Sequence, residues 1–445
     1  MNASATSAGG STGRDVVRLA LPIILSNLSI PMIGAVDTAV MGHLPDAAYI
    51  GGVALGALFF SYIYWGFGFL RMATTGFVAQ AHGAGDDQEL RHITARGMLL
   101  ALTLGAALVA LQLPLSSLAF AVLEGSVRVK ALARDYVLVR IWGAPATLAL
   151  YVAMGWLIGR QRMRTVLALT VIQNGLNAAL AVLFVVTFGW GIQGVAAATL
   201  VAEYASAAVA AAVLWRAHER LGGRWGGAGL LDRAKLLSAF RVNRDIFLRT
   251  LCLVTGFAWF VSQGAGQGDV ALAANAILVT FVTFAAFGLD GFAHAAETLA
   301  GAAIGARDGS AFRAAVRIST AWAAGVAAGA GLLFWAAGPA LIDAMTGIDA
   351  VRAAARVYLP WAAIYPLVAV WCFQLDGIYI GATRTAEMRD GMALATAAFL
   401  ALGYALAPCF GNHGLWAAFM AFAAFRGLIL GWWYPRLLVQ FVRPA

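Results

Sequence analysis

The chain has 445 residues, of which 62% are apolar and 11% are charged, and its formal net charge is +9. Soluble globular domains carry roughly 25% charged residues, so a chain this poor in charge cannot cover a water-facing surface of its own size. Apolar runs of about 20 residues, the length that crosses a bilayer, recur from one end to the other. Composition therefore excludes a soluble protein and predicts an integral membrane protein.

Twelve apolar segments follow one another along the chain, and we expect each to form a transmembrane helix. Barrel strands alternate apolar and polar residues, and these segments do not, so the predicted fold class is an all-α integral membrane protein. Several segments exceed a straight crossing, which predicts tilted or protruding helices. The predicted spans are 17–42, 49–81, 92–120, 128–158, 163–188, 192–217, 244–266, 271–303, 314–338, 351–382, 387–410 and 414–438.

The Lys and Arg residues outside the apolar cores divide unequally between the two sides of this layout. Twenty-one lie on the side of both termini, and five lie on the other side, namely Arg128, Lys130, Arg134, Arg352 and Arg356. This asymmetry predicts that both termini are cytoplasmic, and it explains the positive charge without nucleic acid. The apolar run after the polar residues 1–16 lacks a small-residue cleavage site, so we expect a retained first helix rather than a signal peptide.

The two halves of the chain match at a constant offset of 222 residues. The least trivial matches are Gly83 with Gly305, Asp86 with Asp308, Arg162 with Arg384, and Phe188-Gly189 with Phe410-Gly411. Because each half holds six spans, the repeats must be parallel, and transporters built this way bind substrate between their halves. The predicted organisation is a tail (1–16), an N-lobe (17–217), a basic, glycine-rich cytoplasmic linker (218–243) and a C-lobe (244–445).

Asp37 is the clearest polar residue stranded in an apolar segment. An ionised group in hydrocarbon costs on the order of 3 kcal/mol even on insertion-based scales, so it requires a reason. A buried carboxylate without a fixed cationic partner has a raised proton affinity and suits a proton or sodium carrier. The alternatives are an ion pair with an embedded arginine, such as Arg71 or Arg140, or snorkelling to the outer interface.

Other polar residues lie in the fifth, sixth, eighth and tenth spans. Asn174 and Asn177 share a helix face and would either ligate a cation or hold neighbouring helices together. Asp290, His294 and Glu297 also share one face, which cannot contact lipid. This stripe would line a substrate cavity or relay protons, or else form a fixed polar network. Asp376 and Glu203 are solitary acids for which cavity and structural roles are both open.

Motifs that would indicate an enzyme are missing or misplaced. Gly189-Trp-Gly191-Ile-Gln-Gly194 fits GxGxxG, but no strand precedes it. No Walker, HExxH or GxSxG motif occurs in a usable context, and Cys252, Cys372 and Cys409 lie in apolar runs without metal-ligand spacing. We therefore expect no enzymatic activity, no metal site and no cofactor.

Several motifs resemble those of the multidrug and toxic compound extrusion (MATE) family. In the first half these are Leu19-Ala-Leu-Pro22, Val36-Asp37-Thr-Ala-Val-Met-Gly-His43 and Gly191-Ile-Gln-Gly194-Val-Ala-Ala-Ala. In the second half, Asn243-Arg-Asp245, Asp290-Gly-Phe-Ala, Glu297 and Asp376-Gly-Ile-Tyr-Ile-Gly-Ala-Thr-Arg384 resemble its DNA-damage-inducible F (DinF) branch. The resemblance covers nearly the whole chain and implies twelve helices in two lobes.

This resemblance implies export of diverse, often cationic amphiphiles in exchange for protons or sodium. The family's cation site would carry over to Asp37, Asn174 and Asn177. Some members have a second acid that corresponds to Ala181 here, and its loss favours protons over sodium as the coupling ion. We expect a monomeric bacterial inner-membrane exporter that contacts lipids and binds no nucleic acid. The rivals are a sodium-coupled exporter, a lipid or lipid-linked flippase of the same superfamily, and a membrane-embedded enzyme or channel.

Overall fold

A computed structural model describes residues 12–42, 46, 48–226 and 228–442. The described residues form α-helices with short connections and contain no strand, which confirms the predicted all-α fold class. The helices are α1 Gly13–Met41, α2 Ala48–Gly66, α3 Phe69–Gly83, α4 Asp87–Ala110, α5 Gln112–Val122, α6 Val127–Arg140, α7 Ala144–Gly159, α8 Met163–Val182, α9 Gly191–Glu219, α10 Arg233–Ala265, α11 Asp269–Gly305, α12 Gly309–Met345, α13 Asp349–Gly381 and α14 Thr385–Val442. Residues 1–11 of the predicted tail lie outside the described residues.

Some predicted spans are broken in the structure, and one predicted loop is partly helical. The span 128–158 divides at a 3-10 turn, Ile141–Gly143, because Pro145 at the start of α7 lacks the N–H that would continue the helix. Helix α14 contains a non-helical residue, Gly411 (φ 56°, ψ −134°), so its two parts correspond to two predicted spans. Helix α10 begins well before the predicted residue 244, because the Asp232 carboxylate accepts bonds from the first backbone N–H groups.

Ten helical segments of the described chain are long and apolar enough to cross a membrane. They do not include α1, which is 29 residues long, and one of them is the bent α14. The chain is therefore a multi-pass membrane protein. The number of twelve crossings stays a prediction.

The internal repeat reappears in the turns that end equivalent helices. Gln161 and Thr383, which are 222 residues apart, both adopt a positive φ, of 58° and 54°. Gly85 and Arg307, at the same offset, have φ values of 68° and 56°. Left-handed residues of this kind satisfy the last carbonyl groups of a helix. The two halves therefore end matching helices with the same backbone conformation.

The matching aspartates at the next position begin the helices that follow. Asp86 accepts a hydrogen bond from the backbone N–H of Glu89 (2.8 Å) at the start of α4. Asp308 accepts bonds from Ser310 and Ala311 (2.9 Å each) at the start of α12. These bonds hold the pKa of the Asp308 carboxyl below its ordinary value. The sequence match between the two aspartates thus reflects one capping role performed twice.

Equivalent glycines also bring equivalent helices into close contact. A Cβ at Gly155 in α7 would overlap the carbonyl oxygen of Arg71 in α3. At the same offset, a Cβ at Gly377 in α13 would overlap the carbonyl oxygen of Ala293 in α11. The next turns repeat this relation, Gly159 against Thr75 and Gly381 against Glu297. Each half therefore packs the same pair of helices backbone to backbone, as small residues permit in membrane proteins.

Gly377→Ala is expected to destabilise the protein by about 1–3 kcal/mol, because the added methyl group would force α13 away from α11. Gly329→Ala in α12 is the matched control, since nothing lies within 4 Å of a Cβ at that position. Unfolding midpoints in mixed detergent micelles would compare the two variants. Equal midpoints would show that this close packing contributes nothing.

The chain divides into two compact units. The N-unit comprises Leu25–Val78 and Asp86–Leu237, and the C-unit comprises Met1–Ile24, Ala79–Gly85 and Ser238–Ala445, as far as these are described. The large fully buried side chains of the N-unit include Phe60, Tyr136 and Trp156, and those of the C-unit include Phe260, Phe399, Trp416, Phe419 and Phe422. The lobe and linker boundaries inferred from the sequence stay predictions.

Candidate functional site

A buried cluster of charged and phenolic groups occupies the N-unit. Arg140, the last residue of α6, donates a hydrogen bond to the Tyr136 hydroxyl (3.0 Å), and its Nη2 lies 3.6 Å from Oε1 of Glu203 in α9. The guanidinium also lies over the Phe60 ring, 4.5 Å from its centroid. Asp37 of α1 is close enough to interact electrostatically with both Arg140 and Tyr136. The structure thus brings Asp37 and Glu203 to one arginine.

Two buried acids of this cluster lie close to the same arginine. Asp37 and Glu203 are 7% and 3% exposed, and Arg140 is the cation that interacts with both. Oδ1 of Asp37 and Oε2 of Glu203 are buried and make no hydrogen bond with a described residue. Arg71, the other embedded arginine of this unit, interacts electrostatically with Tyr151. Two carboxylates therefore lie close to one guanidinium, and Oδ1 of Asp37 is the oxygen left to accept a proton or a cation among the described residues.

Backbone geometry creates the space for the Glu203 carboxylate. Gly143 ends the 3-10 turn between α6 and α7, and a Cβ at that position would overlap Oε2 of Glu203. The turn that interrupts the predicted span 128–158 therefore serves the cluster as well, because it places a residue without a side chain against the buried acid.

The two amides predicted to join Asp37 bond elsewhere through their NH2 groups. Asn174 donates to the Ser29 hydroxyl (2.8 Å), and Asn177 donates to the Thr199 hydroxyl (2.9 Å). Oδ1 of Asn177 is buried and makes no hydrogen bond with a described residue. Each amide therefore links α8 to a neighbouring helix, and Asn177 retains one unused acceptor. Ala181, where some family members have an acid, is fully buried.

The C-unit contains a second buried cluster with the opposite balance of charge. The Asp376 carboxylate in α13 accepts hydrogen bonds from Arg249 of α10 and from Arg426 of α14, the latter at 2.7 Å. All three side chains are buried. The Arg426 guanidinium also lies 5.6 Å from the centroid of the Phe422 ring. Asp376 is therefore an ion-pair partner of two arginines in α10 and α14.

The stripe predicted on α11 forms a local pair. His294 Nδ1 and Glu297 Oε2 are 2.7 Å apart, and Glu297 is 1% exposed. Oε1 of Glu297 makes no hydrogen bond with a described residue. Asp290 is half-buried and interacts electrostatically with Tyr365 of α13. At least the His294–Glu297 part of the stripe is thus a polar network inside the C-unit.

Sequence reasoning missed Arg249 and Arg426 and treated Arg140 only as an alternative partner of Asp37. The available signal was an arginine inside an apolar span, which is as costly as a buried acid and equally requires a partner. Within the described residues, no group of three or more His, Cys, Asp or Glu side chains is arranged to hold a metal ion.

Multiple long apolar helices, an internal repeat and buried charge clusters together define a membrane transporter built from two related halves. The MatE family model matches residues 22–183 and 246–409. The chain is 41% identical over 427 residues to DNA damage-inducible protein F of Escherichia coli (strain K12), covering 94% of this chain and 91% of that protein. It is 28% identical to a probable multidrug resistance protein NorM of Rhizobium meliloti (strain 1021), covering 94% and 92%.

Solved structures agree on the fold. An outward-facing multidrug resistance MATE family transporter of the MOP superfamily matches with a TM-score of 0.86 and 18% identity, covering 96% of both chains. A MOP superfamily transporter from Pyrococcus furiosus matches with a TM-score of 0.85 and 18% identity, covering 97% of both. The chain belongs to the MatE family, which confirms the resemblance inferred from its motifs. It is a transporter rather than an enzyme, of a family that needs no cofactor and handles small organic substrates.

Proposed function

We propose that this transporter exports amphiphilic, often cationic, compounds by proton antiport, with Asp37 as the protonation site. The supporting observation is that Asp37 and Glu203 share the Arg140 guanidinium in a buried cluster. A buried carboxylate that shares its cationic partner with a second acid is costly to keep ionised, and binding a proton removes this cost. The unused Asp37 Oδ1 is the acceptor for that proton.

The same cluster suggests how protonation would act on the helices. A neutral Asp37 loses its attraction to Arg140, and the guanidinium then pairs with Glu203 alone. This change releases α1 from α6 electrostatically and would bias an alternating-access equilibrium toward the state that releases substrate. Deprotonation restores the attraction and resets the cycle.

Sodium is the second candidate for the coupling ion, and one observation favours it. The Asn177 side chain presents an unused oxygen in the same unit as Asp37, and hard cations prefer oxygen ligands. Against sodium, the position of a further acid in some family members is occupied by the buried Ala181. We therefore propose protons. Efflux of a fluorescent cation from proteoliposomes, driven by a pH gradient or by a sodium gradient of equal size, would decide between them.

We also propose that Asp290, His294 and Glu297 act on substrate from the C-unit. Asp290 and His294 are half-buried, and Glu297 supports the His294 ring through their 2.7 Å contact. An anionic or hydrogen-bonding group at this position would favour cationic substrates. Asp376, whose carboxylate is bound by two arginines, would have a structural role beside these three residues.

We propose that the protein lies in the bacterial inner membrane with both termini and the segment 218–243 in the cytoplasm. Cysteine introduced at the exposed Arg220 in a cysteine-free background should be labelled by an impermeant maleimide only from the cytoplasmic side. Cysteine at Val127, which is 89% exposed, should be labelled only from the periplasmic side. The reverse pattern would overturn this topology.

A further inference from the structure

A cavity of about 360 Å³ lies in the N-unit, where the chain after α9 folds back over the beginning of α4. Its lining residues are Arg91, Trp215, Glu219, Gly223, Arg224 and Trp225. The volume falls in the range of small-molecule sites, and the lining consists of two tryptophans, two arginines, one glutamate and one glycine. The Asp37 cluster shares no residue with it.

The cavity is held in shape by side chains of α4 that bind the backbone of the folded-back segment. The Arg91 guanidinium donates to three carbonyl oxygens at 2.7–2.9 Å, those of His218, Leu221 and Gly222. The Gln88 amide both donates to the carbonyl oxygen and accepts from the N–H of Arg224, at 2.9 Å each. Gly223 has a φ of +83°, and a Cβ at this position would overlap Gln88. The segment is therefore fixed through its backbone, which leaves the Arg224 side chain exposed at the cavity.

The charge of the cavity favours an anion. Arg91 is 6% exposed, and no carboxylate of the described residues lies within ion-pair distance of it. The equivalent residue of the second half, Arg313, is exposed, so burial of this arginine is specific to the N-unit. The acid of the lining, Glu219, accepts a hydrogen bond from the Trp215 indole (2.8 Å).

We propose that this cavity binds the phosphate head group of an anionic phospholipid from the inner leaflet. Arg91 and Arg224 would pair with the phosphate, and Trp215 and Trp225 would lie at the level of the head groups, where tryptophan is enriched. Basic clusters next to membrane helices attract anionic lipids through the negative surface potential of the cytoplasmic leaflet. The proposal uses the cytoplasmic placement of this segment under the proposed topology, and its readout requires no transport activity.

The test uses the full-length protein in nanodiscs of phosphatidylcholine with a trace of photoactivatable phosphatidylglycerol. Crosslinks are expected on the peptide that spans Trp215 to Trp225. Arg224→Gln should lower their yield at least about tenfold, because a hydrogen bond to a charged group contributes about 1.5–3 kcal/mol. Arg220→Gln is the matched control, since it removes the same charge from an exposed residue that does not line the cavity. Its yield should fall by about fivefold at most, the loss expected for an arginine that only adds to the surface potential.

Three results would overturn the proposal. Equal labelling by photoactivatable phosphatidylcholine would show that the head-group charge is not recognised. An equal loss in Arg220→Gln and Arg224→Gln would indicate general attraction to a basic surface. Displacement of the lipid by excess soluble glycerophosphate would assign the cavity to a free phosphate compound instead.

Discussion

Asp37→Asn is expected to reduce pH-driven efflux to the level of empty liposomes while the protein remains folded. The asparagine cannot exchange a proton, and it leaves Glu203 and Arg140 as a balanced pair. The cluster would then remain in the state that protonation produces in the parent chain. Because the substitution removes a buried charge that shares its arginine with Glu203, the melting temperature should not fall below that of the parent protein. Efflux of a fluorescent cation from proteoliposomes measures transport, and thermal unfolding in detergent measures the melting temperature.

The matched control for this experiment is Asp15→Asn, which makes the same chemical change in the first turn of the same helix. The Asp15 carboxylate bonds to the N–H and hydroxyl of Thr12 at the helix start, far in sequence from the charged cluster. This variant should retain parental efflux. Normal pH-driven efflux by a well-expressed Asp37→Asn protein would refute Asp37 as the protonation site and move attention to Glu203.

The helices could be predicted from sequence because their signal is local. An apolar run long enough to span a bilayer must form a helix, since lipid offers no partner for an unsatisfied backbone group. The predicted spans therefore coincide with single helices, with pairs of helices, or with one of the two parts of α14. The breaks within spans depend on weaker features, such as Pro145 at the start of α7. The helical start of α10 depends on one side chain, the Asp232 cap, in a segment whose composition indicates a loop.

The candidate site could be predicted only as a set of costly residues, and not as pairs. The sequence identifies Asp37 and Glu203 as embedded acids, but it does not reveal that both approach Arg140. Likewise, Asp376 reads as a solitary acid, because Arg249 and Arg426 are distant in the chain. Which charged residues become partners depends on which helix faces pack together. Each cluster draws its residues from three segments that are distant in the chain. Counting the acids and the arginines inside the apolar spans would have predicted that ion pairs form between them. It would not have shown which acid pairs with which arginine.

The two clusters differ in charge balance, and this difference fits distinct roles. In the N-unit cluster two acids lie close to Arg140, and Oδ1 of Asp37 has no hydrogen-bond partner among the described residues, so it is available to a proton. The Asp376 cluster combines one acid with two arginines, so it has no reason to bind a cation. We therefore expect the Asp376 cluster to stabilise the C-unit rather than to carry the coupling ion.

Asp376→Asn is accordingly expected to destabilise the protein by about 3–5 kcal/mol, the cost of breaking a buried ion pair by removing one partner. The variant would remove the carboxylate that accepts hydrogen bonds from both Arg249 and Arg426. Glu297→Gln is the matched control, because it neutralises a buried acid that contacts the His294 imidazole instead of two guanidinium groups. Its cost should be smaller.

Unfolding midpoints of both variants in mixed detergent micelles would test this expectation, with efflux measured on the folded fraction of each. Asp376→Asn protein that folds should still respond to a pH gradient, since its substitution leaves the Asp37 cluster intact. A stable Asp376→Asn variant that has lost pH-driven efflux would contradict the division of roles. It would assign the coupling proton to the C-unit, and the ion pairs of Asp376 would then be the element that changes during transport.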